Sequence, residues 1–180
     1  SVTFTPRWTA PAAPAMDPFV FRTQTGATLT PSDLAGRIHV ASFIFTTCST
    51  ICPVMVTQLT RVQQASASWP EFRLVSYSVT PADDTPEVLA AFGRERGIDP
   101  ARWILATGDA RRTYRLARTF YHADDGRLTR GDEGADQFLH TEKVLLVDRR
   151  LYIRGVYNAT VPFDMDRLIG DILALRTSGG

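Results

Sequence analysis

Cys48 and Cys52 are the chain's two cysteines, with three residues between them. Both fall in a polar turn segment rather than on an apolar face. Two thiols this close can point at one centre or close to a disulfide. The loop such a bridge would close is too short to add much chain-entropy stability. Redox chemistry or metal binding is therefore expected in preference to a structural bridge or two core thiols. Thiolates select Cu(I), or borderline Zn. Cys52 precedes Pro53, and Pro is favoured at the first helical position. Its sulfur is then expected at a helix N-terminus, where the dipole and free amides would lower its pKa. Two sulfurs alone make an open site, so a third ligand is sought among His39, His122 and His140.

The elements around these residues alternate. Phe19 to Arg22 and Ala27 to Thr30 flank Thr25-Gly26, a hairpin signal. Arg37 to Phe45 is nearly all apolar and β-branched or aromatic, as a strand buried on both faces reads. Pro53 opens a helix to about Ser68, and Phe72 to Val79 reads as a second buried strand. Thr85-Pro86-Glu87 supplies a cap, a first-turn Pro and a first-turn acid. The helix that follows should place Val88, Leu89 and Phe92 on one face and stop near Gly97. Trp103 to Ala106 is a third strand, and Asp109 caps a helix through Tyr121 that carries Leu116 and Phe120 at adjacent-turn spacing. Residues 122 to 139 hold two short charged, Gly-containing runs and are expected to be an inserted loop or hairpin. Lys143 to Val147 is a fourth strand, returned by Leu151 to Tyr157 after an Asp148-Arg149-Arg150 turn. Phe163 to Leu175 closes the chain as an amphipathic helix, with Leu168, Ile169, Ile172 and Leu175 on one side.

This order predicts an α/β fold. A central mixed sheet is flanked by helices, parallel in its middle and antiparallel where the last hairpin joins. It is the layout of a thioredoxin-like domain with an N-terminal hairpin and an insert before the fourth strand. The Cys segment then falls at the carboxyl end of the first central strand, where ligands bind in open sheets. His39 lies inside that strand and reads as a satisfied buried histidine. His122 reads as a surface residue. His140 lies just before the fourth strand, beside the Cys segment in such a sheet. A cis-Pro commonly occupies that place, but no Pro stands between Pro100 and Pro162. His140 is therefore the expected third ligand.

Composition sets the outer limits. With 180 residues, one domain plus an appendage is expected, divided as a proline-rich lead-in over 1–18 and a domain over 19–177. Hydrophobic residues are 44% and charged residues 22%, which excludes a disordered chain or a coiled coil. A net charge of +1 gives no nucleic-acid or anionic-membrane footprint. Arg111, Arg112, Arg115 and Arg118 share one helix and read as a solvated face, with an acidic partner as the alternative. No apolar run approaches a membrane span. The chain starts at Ser1, as a processed or trimmed form would, and a signal or anchor upstream would not be visible.

Cys48-x3-Cys52-Pro53, with a distant His140, resembles the copper-binding, thioredoxin-like Sco (SenC) family. Ser78-Val79-Thr80-Pro81, Asp84-Thr85-Pro86-Glu87 and Gly97 to Gly108 around Trp103 carry the likeness further, over about residues 18 to 176. The chain departs from the family's usual residues at Ile44-Phe45-Thr46, Ser49-Thr50, Thr80 and Leu139, losing carboxylates near the site but no ligand. The resemblance implies that Cys48, Cys52 and His140 bind one copper, as Cu(I) or Cu(II), and deliver it to a respiratory oxidase copper centre. It also implies a membrane-anchored protein facing the periplasm or the mitochondrial intermembrane space. In that reading Cys48 and Cys52 double as a redox pair, and their oxidation releases the metal.

Other functions fit the same residues. A thiol-disulfide reductase would keep the cysteines of a partner's copper site reduced. The missing Pro and the wide Cys spacing disfavour a general reductase but leave a partner-specific one. A redox or copper sensor would use the same ligands. A peroxiredoxin-type peroxidase needs Thr three residues before its Cys, and Phe45 stands there. A closed zinc site needs four ligands, and Asp136 or Glu142 would have to join the three.

Overall fold

A computed structural model describes residues 15–123 and 141–179. His140 and all but the first two residues of the expected insert lie outside them. The described elements are β1 (Phe21–Thr23), β2 (Thr28–Leu29), α1 (Pro31–Leu34), β3 (Ile38–Ile44), α2 (Ile51–Ala65), β4 (Phe72–Ser78), α3 (Pro86–Arg96), β5 (Trp103–Thr107), α4 (Ala110–Arg115), a π-helical turn (Leu116–Phe120), β6 (Lys143–Val147), β7 (Ile153–Asn158) and α5 (Pro162–Ser178).

One seven-stranded sheet runs in the order β2-β1-β5-β4-β3-β6-β7. β3, β4 and β5 are parallel, and every residue of β3 is buried. β6 returns antiparallel to β3, and β7 antiparallel to β6. This is the mixed, helix-flanked sheet read from the sequence. Because strand side chains alternate, the sheet feeds two cores. Val40 and Leu74 meet Met55, Leu59 and Ile172 on the face covered by α2, α3 and α5. Ala41, Phe43 and Tyr77 meet Phe21, Leu116 and Tyr121 on the other.

α2 starts at Ile51, so Cys52 lies inside the first turn and Pro53 is the third helical residue rather than the first. Its missing N–H still costs nothing there, since first-turn amides have no partner within the helix. Met55, Val56, Leu59 and Val62 bury one stripe. α3 begins as expected: the Thr85 hydroxyl accepts from the Val88 amide, and the helix ends at Gly97 with φ 70°. Val88, expected inward, is exposed; Gly93 joins Leu89 and Phe92 on the buried face instead.

The helix expected through Tyr121 keeps its Asp109 cap but widens after Arg115. The Tyr121 amide bonds the Leu116 carbonyl at 3.1 Å, an i→i+5 step that turns both Phe120 and Tyr121 inward. Its arginines are partly engaged: Arg115 pairs with Asp17 at 2.8 Å, and Arg112 donates to the Pro18 carbonyl. Met16 is buried in the same core.

Candidate metal centre

β3 ends at Ile44, and the chain turns over Phe45–Thr50 before α2. The Cys48 amide closes this turn on the Phe45 carbonyl at 3.1 Å. Thr50 holds the N-cap position without capping, because its hydroxyl faces the Cys48 Sγ at 3.7 Å. The Cys52 amide, in the first turn, points at the same sulfur at 3.5 Å. Cys48 thus takes the place of a capping side chain and lets the helix start early. Both thiols are free and buried, Cys48 8% exposed and Cys52 3%.

This arrangement reverses the expected polarity of the pair. Burial works to raise the Cys48 pKa. The amides of Cys52 and Thr50, the Cys52 thiol and the Thr50 hydroxyl outweigh it and hold Cys48 down to about 7. Cys52 is pushed up to about 12, first by burial, then by its hydrogen bond to Cys48 and that thiolate's charge, against the Phe45 amide that bonds its sulfur. The helix N-terminus therefore serves Cys48 rather than Cys52, because Cys52 lies within the first turn and points into the core.

The three histidines separate. His39 is fully buried, and burial holds it neutral, with a pKa lowered to about 3. Its Nε2 meets the Tyr121 hydroxyl at 2.9 Å, but its Nδ1 has no partner among the described residues. The satisfied histidine read from the sequence is thus only half satisfied. His122 is exposed, as expected, with φ 51°. His140 lies outside the described residues. The chain that continues from it is placed: Thr141 is buried and caps the Lys143 amide at 3.1 Å. β6 then pairs Leu145 with Ala41 and Val147 with His39, so β6 opens at the edge where β3 gives way to the Cys turn.

Among the described residues, no three His, Cys, Asp or Glu side chains group into a metal site. Glu142 contributes its backbone carbonyl to Ala159, and Asp136 is outside the described residues. No cis peptide bond occurs among the described residues.

A residue given no role in the sequence stands behind the turn. Asp84 is fully buried between β4 and α3. Its carboxylate accepts from the Ser78 hydroxyl at 2.7 Å, the Thr80 hydroxyl at 3.0 Å, the Thr46 amide at 3.3 Å and the Thr46 hydroxyl. The sequence signal was present, since Asp84 opens one of the stretches that carry the resemblance. Its partners at 46 and 78 were not visible without the fold.

The family model of SCO1/SenC matches residues 8–175. The chain belongs to the SCO1/SenC family. Three solved structures illustrate the likeness. A SCO1/SenC family lipoprotein from Bacillus anthracis str. Ames is 25% identical, with TM-score 0.76, over 93% of this chain and 98% of that one. BsSco, a Sco-family cytochrome c oxidase assembly protein with a disulfide switch, is 29% identical, with TM-score 0.72, over 87% and 90%. Arabidopsis thaliana ScoI with copper bound shares the fold at 22% identity, with TM-score 0.69, over 91% and 99%. Among the described residues no helix is long and apolar enough to cross a membrane.

Proposed function

We propose that this Sco protein carries one copper ion as cargo, held by Cys48, Cys52 and His140, and passes it to the copper centre of a respiratory oxidase. The observation that carries the reading is the reduced, buried dithiol at the carboxyl end of β3, with the Cys52 amide donating to the Cys48 sulfur across one turn. Copper is the cargo because two thiolates and an imidazole suit Cu(I) and Cu(II). The copper-bound ScoI and the oxidase-assembly role of BsSco support it. Cys48 is poised to meet the ion as thiolate, whereas Cys52 must give up its proton on binding, so loading releases protons. The proposal sets this work at the outer face of the cytoplasmic membrane, in the periplasm or in the mitochondrial intermembrane space, and the lipoprotein relative supports an extracytoplasmic site.

A second reading is favoured by the unequal thiols. In thiol-disulfide exchange, the Cys48 thiolate attacks a partner's disulfide and one partner sulfur leaves as thiolate. Cys52 then loses its proton and attacks Cys48 Sγ, forming the Cys48–Cys52 disulfide and freeing the second partner thiol. Two electrons pass to the partner, whose copper-site cysteines are left reduced.

Anaerobic copper titration of the reduced protein separates the readings. Delivery predicts one tightly held copper per chain, weakened by His140→Ala and abolished by Cys48→Ser with Cys52→Ser. It also predicts transfer to the copper-free domain of an oxidase subunit. Weak binding indifferent to His140 would refute it and leave exchange as the function.

A further inference from the structure

We propose that Asp84 is a positioning residue for the dithiol, setting the Phe45–Thr46 peptide and, through it, both cysteine sulfurs. The inference rests on the reading that Cys48 and Cys52 are the working pair, whether for copper or for exchange.

A carboxylate buried without compensation is costly, so Asp84 must be held by donors. No cation pairs with it among the described residues; four hydrogen bonds do the work instead. Two come from Ser78 and Thr80, within its own stretch of chain, and these suffice to close the loop between β4 and α3. The other two, from the Thr46 amide and hydroxyl, cross 38 residues to the Cys turn and are not needed for that closure.

Thr46 follows Phe45, and Phe45 touches both cysteines. Its carbonyl accepts from the Cys48 amide at 3.1 Å, and its amide bonds the Cys52 sulfur. The Cys52 amide then reaches the Cys48 Sγ at 3.5 Å, closing the circuit. One continuous set of bonds therefore runs from the Asp84 carboxylate through Thr46 and Phe45 to both sulfurs. β3 and β4 brace it, since the Val79 amide bonds the Ile44 carbonyl at 2.9 Å on the same edge. Fixed donors and acceptors of this kind keep a site in its working geometry, and a loosened support is felt at the reacting atoms.

The test compares Thr46→Val, Asp84→Asn and Ser78→Ala in the intact chain. The readout is the metal-free equilibrium of the Cys48–Cys52 pair with a glutathione buffer. The Asp84 bonds described belong to the dithiol form, so their loss should move the pair toward disulfide. Thr46→Val and Asp84→Asn should each shift the equilibrium constant by about tenfold, the scale of one bond to a charged group. Ser78→Ala should shift it by less than about threefold, because its bond does not reach the Cys turn. Combining Thr46→Val with Asp84→Asn should add little to either alone. A folded Thr46→Val protein with the wild-type constant would overturn the proposal, even if Asp84→Asn fails to fold. So would an equal effect of Ser78→Ala, which would mark a general loosening. A chain that binds no copper would refute delivery but would leave this comparison fully readable.

Discussion

Cys48 should be alkylated far faster than Cys52 at neutral pH. The perturbation is pH itself, applied to the reduced protein with iodoacetamide and read residue by residue by mass spectrometry. With Cys48 at about 7 and Cys52 at about 12, the two acid constants differ by about five powers of ten. At pH 7 about half of Cys48 is thiolate, while Cys52 is almost wholly protonated. The Cys48 rate should therefore rise to a plateau with a midpoint near 7, and the Cys52 rate should still be climbing at pH 10. In Cys52→Ser the Cys48 midpoint should stay below the ordinary thiol value, because the two backbone amides on its sulfur remain. Equal rates at the two sulfurs, or a Cys48 midpoint at the ordinary thiol value, would refute the assignment of the helix N-terminus to Cys48.

Two further outcomes follow from the cores. His39 is held neutral in the fold at about 3 against 6.5, so the unfolded chain takes up a proton that the folded chain refuses, and stability must fall as pH drops through 6.5 toward 3. At pH 4.5 the loss should be on the order of 2–3 kcal/mol, read by urea unfolding, and His39→Gln should flatten the slope while keeping a bond to Tyr121. Gly108→Ala should destabilise by about 1–3 kcal/mol, because a Cβ there would meet the buried Phe21 ring at 2.2 Å. A wild-type urea midpoint for that variant would count against the packing of the N-terminal hairpin on the end of β5.

The sheet was legible because its signals are local. β3 is buried at every residue and apolar but for His39 and Ser42, as a strand covered on both faces reads. Thr85 and Asp109 marked two helix starts through side chains that cap their own backbone. What escaped the sequence depends on contacts made across the fold. Nothing in residues 116 to 121 announces the π-helical turn, which lets Tyr121 reach His39 and Tyr77 beneath the sheet. The early start of α2 depends on a sulfur four residues upstream acting as a cap, and it reversed the order of the two thiols. Val88 was misplaced by one helical position, because apolar character alone does not say which edge of the stripe faces solvent. Asp84 was visible as a residue but not as a junction, because Thr46 is 38 positions away. The cysteines themselves needed no fold to be noticed. The role of His140 comes from its place before β6 and from the family resemblance.

The most direct test of the copper reading is the Cu K-edge X-ray absorption spectrum of the copper-loaded, reduced protein beside His140→Ala. The account predicts two sulfur neighbours and one imidazole nitrogen at the metal, with the nitrogen contribution lost in His140→Ala and both sulfurs retained. A spectrum dominated by oxygen and nitrogen, or one that His140→Ala leaves unchanged, would contradict it.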